Sequence, residues 1–404
     1  MTQFSISSVD ANAVNAISSE LNLPRFVAEV LVRRNVKTPD EAKRFMNTSL
    51  DLAWGSPYEI PGMKDVVRDL NEAIRLDRHI LVFGDFDLDG ISATTVLTRG
   101  LRDLGAHATP FIPDRFSEGY GLSIVAFERA LKRDPDIELI ITVDCGIACK
   151  EAVSAIQARG IDVLITDHHE PGDAVPRGVP IVDPKLDKNC KSSILAGVGV
   201  ACKVLCALFS KRGKPYMWKQ YCDLATLGTV ADLMPMRDEN RALVAAGLHD
   251  MNTKPRPCIA ALLEVSRAGD RALSATNMSF SITPRLNAAG RMGRADLALD
   301  LLMCDDYKQA CELAAELDRT NTKRKRIESE LSEVAMQKAK EQYTGQRALV
   351  VWGEGWHEGV KGIVANRLVS KYGVPSILFT VADGEARGSG RTVGSINLFD
   401  AVQS

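Results

Sequence analysis

Three carboxylates, Asp85, Asp87 and Asp89, stand at alternate positions directly after the apolar run Ile80–Phe83. Like charges this close repel one another, and burial at a strand end strips away part of their solvation. A divalent cation relieves both penalties. Further candidate ligands follow along the chain. They are Asp144 after Ile140–Val143, the triplet Asp167, His168 and His169 after Ile165 and Thr166, and Asp232 at the end of the apolar segment 225–231. Mixed carboxylate and imidazole donors suit manganese, whereas magnesium takes the carboxylates but seldom a histidine. A structural zinc site lacks its thiolate set, because the nine cysteines form no Cys-x-x-Cys pair. Asp87, Asp89, Asp144, His168 and Asp232 give more ligands than one hydrated ion needs. Two ions about 3.5–4 Å apart, sharing a carboxylate, use such a set, and that is the arrangement of metal-assisted phosphoester hydrolysis.

Each motif has a plainer reading. The Asp85-x-Asp87-x-Asp89-Gly90 run opens like an EF-hand calcium loop, but its twelfth position is Val96 and an apolar strand precedes it. An EF-hand requires a bidentate Glu at that position. Acidic residues also cap helices and offset the helix dipole. Capping accounts for one or two acids, not for three plus those downstream. Asp144 alone would be a turn residue, a lone histidine a packed one, and Asp232 alone a helix-end carboxylate. Their joint placement after successive strands carries the metal reading.

The elements that must position these groups are legible from residue 76 onward. Ile80–Phe83, 137–143, Ile161–Thr166 and Pro180–Val182 read as strands; Ile91–Leu104 and Ala148–Arg159 read as helices. Such alternation predicts βαβ units, an α/β class and a parallel sheet, whose sites form beyond the carboxyl ends of the strands. Residues 1–75 read as an N-terminal helical cap and 76–245 as the catalytic domain. Residues 246–345 read as a helical connector that ends in a long helix over Cys311–Gln342. Its Lys323-Arg324-Lys325-Arg326 run reads as a solvated face. Residues 346–404 read as a smaller α/β domain, with strands at Ala348–Trp352 and Pro375–Phe379 around a helix at Val360–Tyr372. A glycine-rich loop through Gly388 and Gly390 follows.

With 404 residues, two or three domains are expected. A composition of 45% hydrophobic and 25% charged residues suits a globular enzyme. The net charge of −2 is no overall basic footprint, so a phosphate-bearing substrate needs locally clustered Arg and Lys. No apolar run reaches the length of a membrane span, the N-terminus has no secretory pattern, and scattered cysteines suit a reducing compartment. A cytoplasmic protein that engages no membrane is expected.

Nine segments together carry a more specific signal: VFGDFDLDG, RFSEGYGL, TVDCGI, TDHHEPG, LAGVGVA, LGTVADLMP, PRLNAAGR, WHEGVKGIVA and GSGR. In this order, over about residues 80 to 395, the chain closely resembles the RecJ-type single-strand-specific exonucleases of the DHH phosphoesterase superfamily. The resemblance implies a parallel-sheet DHH domain joined by a long helix to a smaller α/β DHH-associated domain, with the active-site cleft between them. It implies that Asp87 and Asp144 hold one metal, that Asp89, Asp144, His168 and Asp232 hold the other, and that Asp144 bridges. His169 would polarise the phosphate or orient the attacking water, and Asp85 would bind a metal or support a ligand. Phe83 stands where some members carry a further histidine ligand. Arg115 would contact the substrate backbone. Arg285, Asn287 and Arg291 would clamp a phosphate, as would Ser389 and Arg391, and His357 would face the cleft. Guanidinium groups match phosphate oxygens, and glycines let backbone approach closely. The plainer reading of Arg285 and Asn287 is loop structure and surface pairing, and that of His357 is packing beside Trp356.

The implied activity is 5′-to-3′ degradation of single-stranded DNA to mononucleotides in repair and recombination. Two Mn2+ ions, or Mg2+, would serve it, and a helicase and a single-strand-binding protein are candidate partners. Family members continue into a GGH motif and an oligonucleotide-binding barrel, so the last domain is expected to be incomplete at Ser404. A DHH phosphodiesterase for short oligonucleotides or cyclic dinucleotides is the alternative; LAGVGVA and PRLNAAGR favour the exonuclease. A non-catalytic scaffold would have lost the acids that are intact here.

Overall fold

The computed structural model describes residues 8–267, 271–382 and 384–403. Short helices open the chain: α1 (Ala11–Leu21), α2 (Arg25–Arg33), α3 (Pro39–Met46), α4 (Leu50–Ala53) and α5 (Met63–Arg75). Val14, Ile17, Ala28 and Leu31 form a small core of their own. α5 instead turns Met63, Val66, Val67 and Leu70 into the main core.

The central sheet contains β1 (Ile80–Phe83), β2 (Ala108–Phe111), β3 (Leu139–Val143), β4 (Asp162–Thr166) and β5 (Ile181–Val182). All pairs are parallel, in the order β2-β1-β3-β4-β5. Parallel strands as apolar as these must be covered on both faces. Ile80, Val82, Ile141 and Val143 meet α6 (Leu88–Asp103) and α9 (Gly197–Lys211). Leu81, Phe83, Ile140 and Ile165 meet α7 (Ile124–Arg133) and α8 (Lys150–Gln157). The chain leaves β1 for one side of the sheet and β3 for the other, so a crevice opens between their carboxyl ends. Sequence reasoning did not find β2. It is a four-residue edge strand containing Pro110, a residue that a sheet edge tolerates and a central strand does not.

α10 (Cys222–Ala231) packs on α6, and α11 (Asp238–Thr253) through α15 (Ala295–Met303) are all helical: α12 is Pro257–Ser266, α13 Ala275–Ser281 and α14 Thr283–Arg291. α16 (Tyr307–Gln342) begins earlier than its charge pattern suggests, because Asp306 caps it by accepting from the N–H of Gln309. Contrary to what its charge pattern suggests, the basic run 323–326 is not solvated throughout. Arg324 is not on a solvated face; its side chain is 11% exposed and pairs with buried Glu328, which also holds Arg367. A basic run on a helix cannot reveal which of its members turns toward a buried acid.

The last unit contains β6 (Leu349–Glu354), α17 (Lys361–Tyr372), β7 (Ser376–Ala382), β8 (Glu385–Arg391) and α18 (Leu398–Gln403). β6 and β7 are parallel and β8 runs antiparallel on β7. The expected glycine-rich loop is therefore a strand. Its glycines serve packing: a Cβ on Gly388 would lie 2.6 Å from the Phe379 ring. Among the described residues, no helix is long and apolar enough to cross a membrane.

Candidate metal centre and phosphate site

Asp85 follows β1, is buried, and leaves its Oδ1 without a hydrogen-bond partner. Asp87 performs the capping role, its Oδ1 accepting from the N–H of Asp89 at 2.9 Å and of Gly90 at 3.1 Å. Asp89 lies in the first turn of α6 and accepts from Gly197 N–H at 2.6 Å and Val198 N–H at 3.1 Å, at the start of α9. Asp144 follows β3 in a left-handed backbone conformation, φ 60°. Strained conformations of this kind cluster at functional sites. Its Oδ1 lies 3.0 Å from His168 Nε2 but out of hydrogen-bonding alignment, so this buried oxygen has no partner. His168 Nε2 is also 3.8 Å from Asp89 Oδ2 and 3.8 Å from Asp232 Oδ2.

Two ligand groups result. Asp85, Asp87 and Asp144 bring oxygens within 4.8 Å of one another, and Asp89, His168 and Asp232 do the same with their ligand atoms. Asp144 joins the groups, since it also clusters with His168 and His169. Phe83 stacks on Phe111 inside the core, so the first group is carboxylate alone. Orphaned buried oxygens in a nest of like charges fit divalent cations, which supply the missing counter-charge.

Two glycines that sequence reasoning left without a role form the floor. A Cβ on Gly197 would lie 2.5 Å from Asp144 Oδ1, and one on Gly228 would lie 2.5 Å from Asp89 Oδ1. The signal was present in LAGVGVA and LGTVADLMP, but a glycine does not announce which neighbour fills its missing side chain.

Without a counter-ion the acids resist ionisation. Burial first, then the Asp87 charge, pushes Asp85 up to about 7. Burial first, then Asp87 and Asp232, pushes Asp89 up to about 8. Burial and Asp87 push Asp232 up to about 6, and burial with the neighbouring acids holds Asp144 well above the carboxylate range. Burial and the His169 charge bring His168 down to about 4, leaving its imidazole neutral and fit to bind metal. The sign of the stability effect follows. A folded chain that keeps protons its unfolded form releases loses stability as pH rises. The metal-free protein is therefore expected to unfold at progressively lower temperature as pH is raised from 5 to 8.5. Saturating Mn2+ should remove most of that fall by displacing the protons. Thermal melts across that range, with chelator and with Mn2+, check this; a metal-free melting temperature that climbs with pH contradicts it.

Asp167 orients the second histidine. It accepts from the N–H groups of Ile147 and His168, and its Oδ1 lies 2.7 Å from His169 Nδ1. Burial alone would raise Asp167, but the hydrogen bond and charge of His169, together with the N–H groups of Ile147 and His168, hold the carboxyl below its ordinary value. The same hydrogen bond outweighs burial at His169 and raises the imidazole. His169 Nε2 points outward to the Tyr120 hydroxyl at 3.2 Å.

The expected phosphate contacts divide. Arg285 commits its donors to Asp318 and to the carbonyls of Ser281 and Val265, so it is a strut. Asn287 accepts from Leu88 N–H at 3.2 Å and anchors the start of α6. Arg291 is different. Burial lowers it first, and the like charges of Arg115, Arg324 and Arg391 bear on it next. Arg115 and Arg391 thus gather close enough to Arg291 for their charges to bear on it. Arg115 lies over the Phe86 ring at 4.9 Å. Ser389 and Arg391 sit over the first turn of α17, where a Cβ on Gly362 would lie 2.8 Å from the Arg391 guanidinium and 3.0 Å from Ser389 Oγ. A helix N-terminus with a hydroxyl and a guanidinium above it has the donors that suit an anion. His357 Nδ1 accepts from Gly359 N–H at 3.1 Å, just before α17, and its ring meets Phe116 edge-on at 5.6 Å, tying the last unit to the segment after β2.

Residues 79–229 match the DHH family, N-terminal domain. The single-stranded-DNA-specific exonuclease RecJ of Bacillus subtilis is 37% identical over 397 residues, covering 97% of this chain and 49% of that protein. The RecJ of Dickeya dadantii is 36% identical over 401 residues, covering 95% of this chain and 68% of that one. The chain thus spans about half to two thirds of the length of these relatives. Crystal structures of Thermus thermophilus RecJ in complex with Mn2+ and with Mg2+ superpose with TM-scores of 0.83 and 0.76. Identity is 32% and 30%, and each covers 99% of this chain, against 56% and 54% of the other.

Proposed function

The chain belongs to the RecJ family of DHH proteins, and from that premise we propose that it is a two-metal-dependent exonuclease that degrades single-stranded DNA from the 5′ end to mononucleotides. One observation carries the reading: two ligand groups meet at Asp144, beyond the carboxyl ends of β1, β3 and β4. Asp85, Asp87 and Asp144 would hold one Mn2+ or Mg2+, and Asp89, Asp144, His168 and Asp232 the other. When bound, such cations supply Lewis acidity toward the phosphate and neutralise charge on the leaving oxygen.

The chain's own residues do the rest. Asp167 fixes the proton of His169 on Nδ1 and leaves Nε2 to face a phosphate oxygen or the attacking water in place of the Tyr120 hydroxyl. Arg115 and Arg291 hold the backbone next to the acids. Ser389 and Arg391, over α17, hold a phosphate farther along, which supports recognition of a strand end. Gly359 and Gly290 keep the two sides in register. A Cβ on Gly359 would lie 1.9 Å from the Arg291 carbonyl, and one on Gly290 would lie 2.3 Å from the Phe86 carbonyl. Nine cysteines, none of them disulfide-bonded, support action in a reducing, cytoplasmic setting.

The test is incubation with end-labelled single-stranded, duplex and dinucleotide substrates, with Mn2+ and with chelator. Mononucleotides from the labelled 5′ end of single strands, in metal alone, are expected. Exclusive cleavage of dinucleotides would favour the phosphodiesterase reading. Arg391→Ala should weaken single-strand binding and reduce the slope of log K against log salt by about 1, because one phosphate contact is lost. A salt titration by fluorescence anisotropy checks it, and an unchanged slope excludes that contact.

A further inference from the structure

α10 ends in a turn that ordinarily takes glycine. The N–H of Met234 bonds the Thr229 carbonyl and the N–H of Leu233 bonds the Val230 carbonyl, so Leu233 occupies the left-handed position of a Schellman cap, at φ 56°. An L-side chain is sterically penalised there and glycine is not. The other non-glycine residues at positive φ, among those described, are Asn, Asp or Arg. Leu233 gains nothing from packing either, because it is 85% exposed. Stability and solubility both argue for another residue. Its place argues for leucine: Asp232 immediately precedes it, with Oδ2 3.8 Å from His168 Nε2. The turn therefore places an uncovered aliphatic residue next in the chain to a member of the acidic cluster.

We propose that Leu233 is a positioning residue that packs against the base of the nucleotide undergoing cleavage. This rests on the exonuclease reading. Bases in a single strand can be splayed out with their faces uncovered, whereas a duplex keeps them stacked. An apolar contact at this point selects an unstacked base without reading its identity.

Leu233→Gly tests the idea, because it relieves backbone strain and should leave the melting temperature unchanged or raised. Its KM for a single-stranded oligonucleotide should rise about tenfold, equivalent to about 1.4 kcal/mol, with kcat within about twofold. Leu233→Met should restore most of the loss. On a substrate abasic at the scissile nucleotide, the difference between wild type and Leu233→Gly should vanish. A wild-type KM in the glycine variant overturns the inference. So does an equal rise on intact and abasic substrates, which would mean a disturbed Asp232. A wild-type protein that cleaves no single-stranded substrate in Mn2+ overturns the exonuclease reading, and this inference with it.

Discussion

Asp144→Ala is expected to lower nuclease turnover by roughly 10³-fold or more, about 4 kcal/mol of barrier, while the metal-free fold survives or gains stability. Both halves follow from one geometry. Asp144 belongs to two of the ligand clusters, one on either side, so its loss opens both. It is also buried, partnerless at Oδ1 and burdened by the charges of Asp89, Asp87 and Asp85. Removing a like charge from that nest relieves repulsion in the absence of metal. Single-turnover assays in Mn2+, paired with melts in chelator, check the two parts. Wild-type turnover excludes a bridging role. A large loss of metal-free stability would mean that Asp144 is chiefly a structural residue.

Gly228→Ala is the second large effect, and it replaces no ligand. The new methyl group would lie 2.5 Å from Asp89 Oδ1 and 2.9 Å from Val198 Cγ1. Asp89 cannot retreat easily, because the N–H groups of Gly197 and Val198 hold its carboxylate at the start of α9. Overpacking of this kind costs about 1–3 kcal/mol. Displacing a ligand from its support should weaken metal binding by roughly 10- to 100-fold. Calorimetric Mn2+ titration checks the affinity, and far-UV circular dichroism checks that the helices persist. Wild-type affinity in this variant would mean that Asp89 does not need its present position.

The cluster of acids and histidines was legible in the sequence because its parts are local. Three strands that are buried along nearly their whole length are followed by acids or histidines, and parallel topology brings strand ends together whatever lies between them. Asp232 was the least specific member of the set, since an acid at a helix end, taken alone, has a plainer explanation. What escaped depends on non-local contact. Gly197 and Gly228 matter for the carboxylates they admit, which lie far away in the chain. Arg285 looked like a phosphate ligand, yet its nitrogens bond Asp318 and the carbonyls of Ser281 and Val265, and the Asn287 Oδ1 holds the N–H of Leu88. Arg324 looked solvated until Glu328 and Arg367 came together around it. β2 and β8 were missed because Pro110 and the glycines at 388 and 390 break strand patterns that an edge position and ring packing tolerate.

Anomalous diffraction at the manganese edge, from crystals equilibrated with Mn2+, tests the central claim most directly. The account predicts two peaks, one among Asp85, Asp87 and Asp144 and one among Asp89, His168 and Asp232, each within bonding distance of an Asp144 oxygen. A single peak, or two that leave Asp144 uncoordinated, contradicts it.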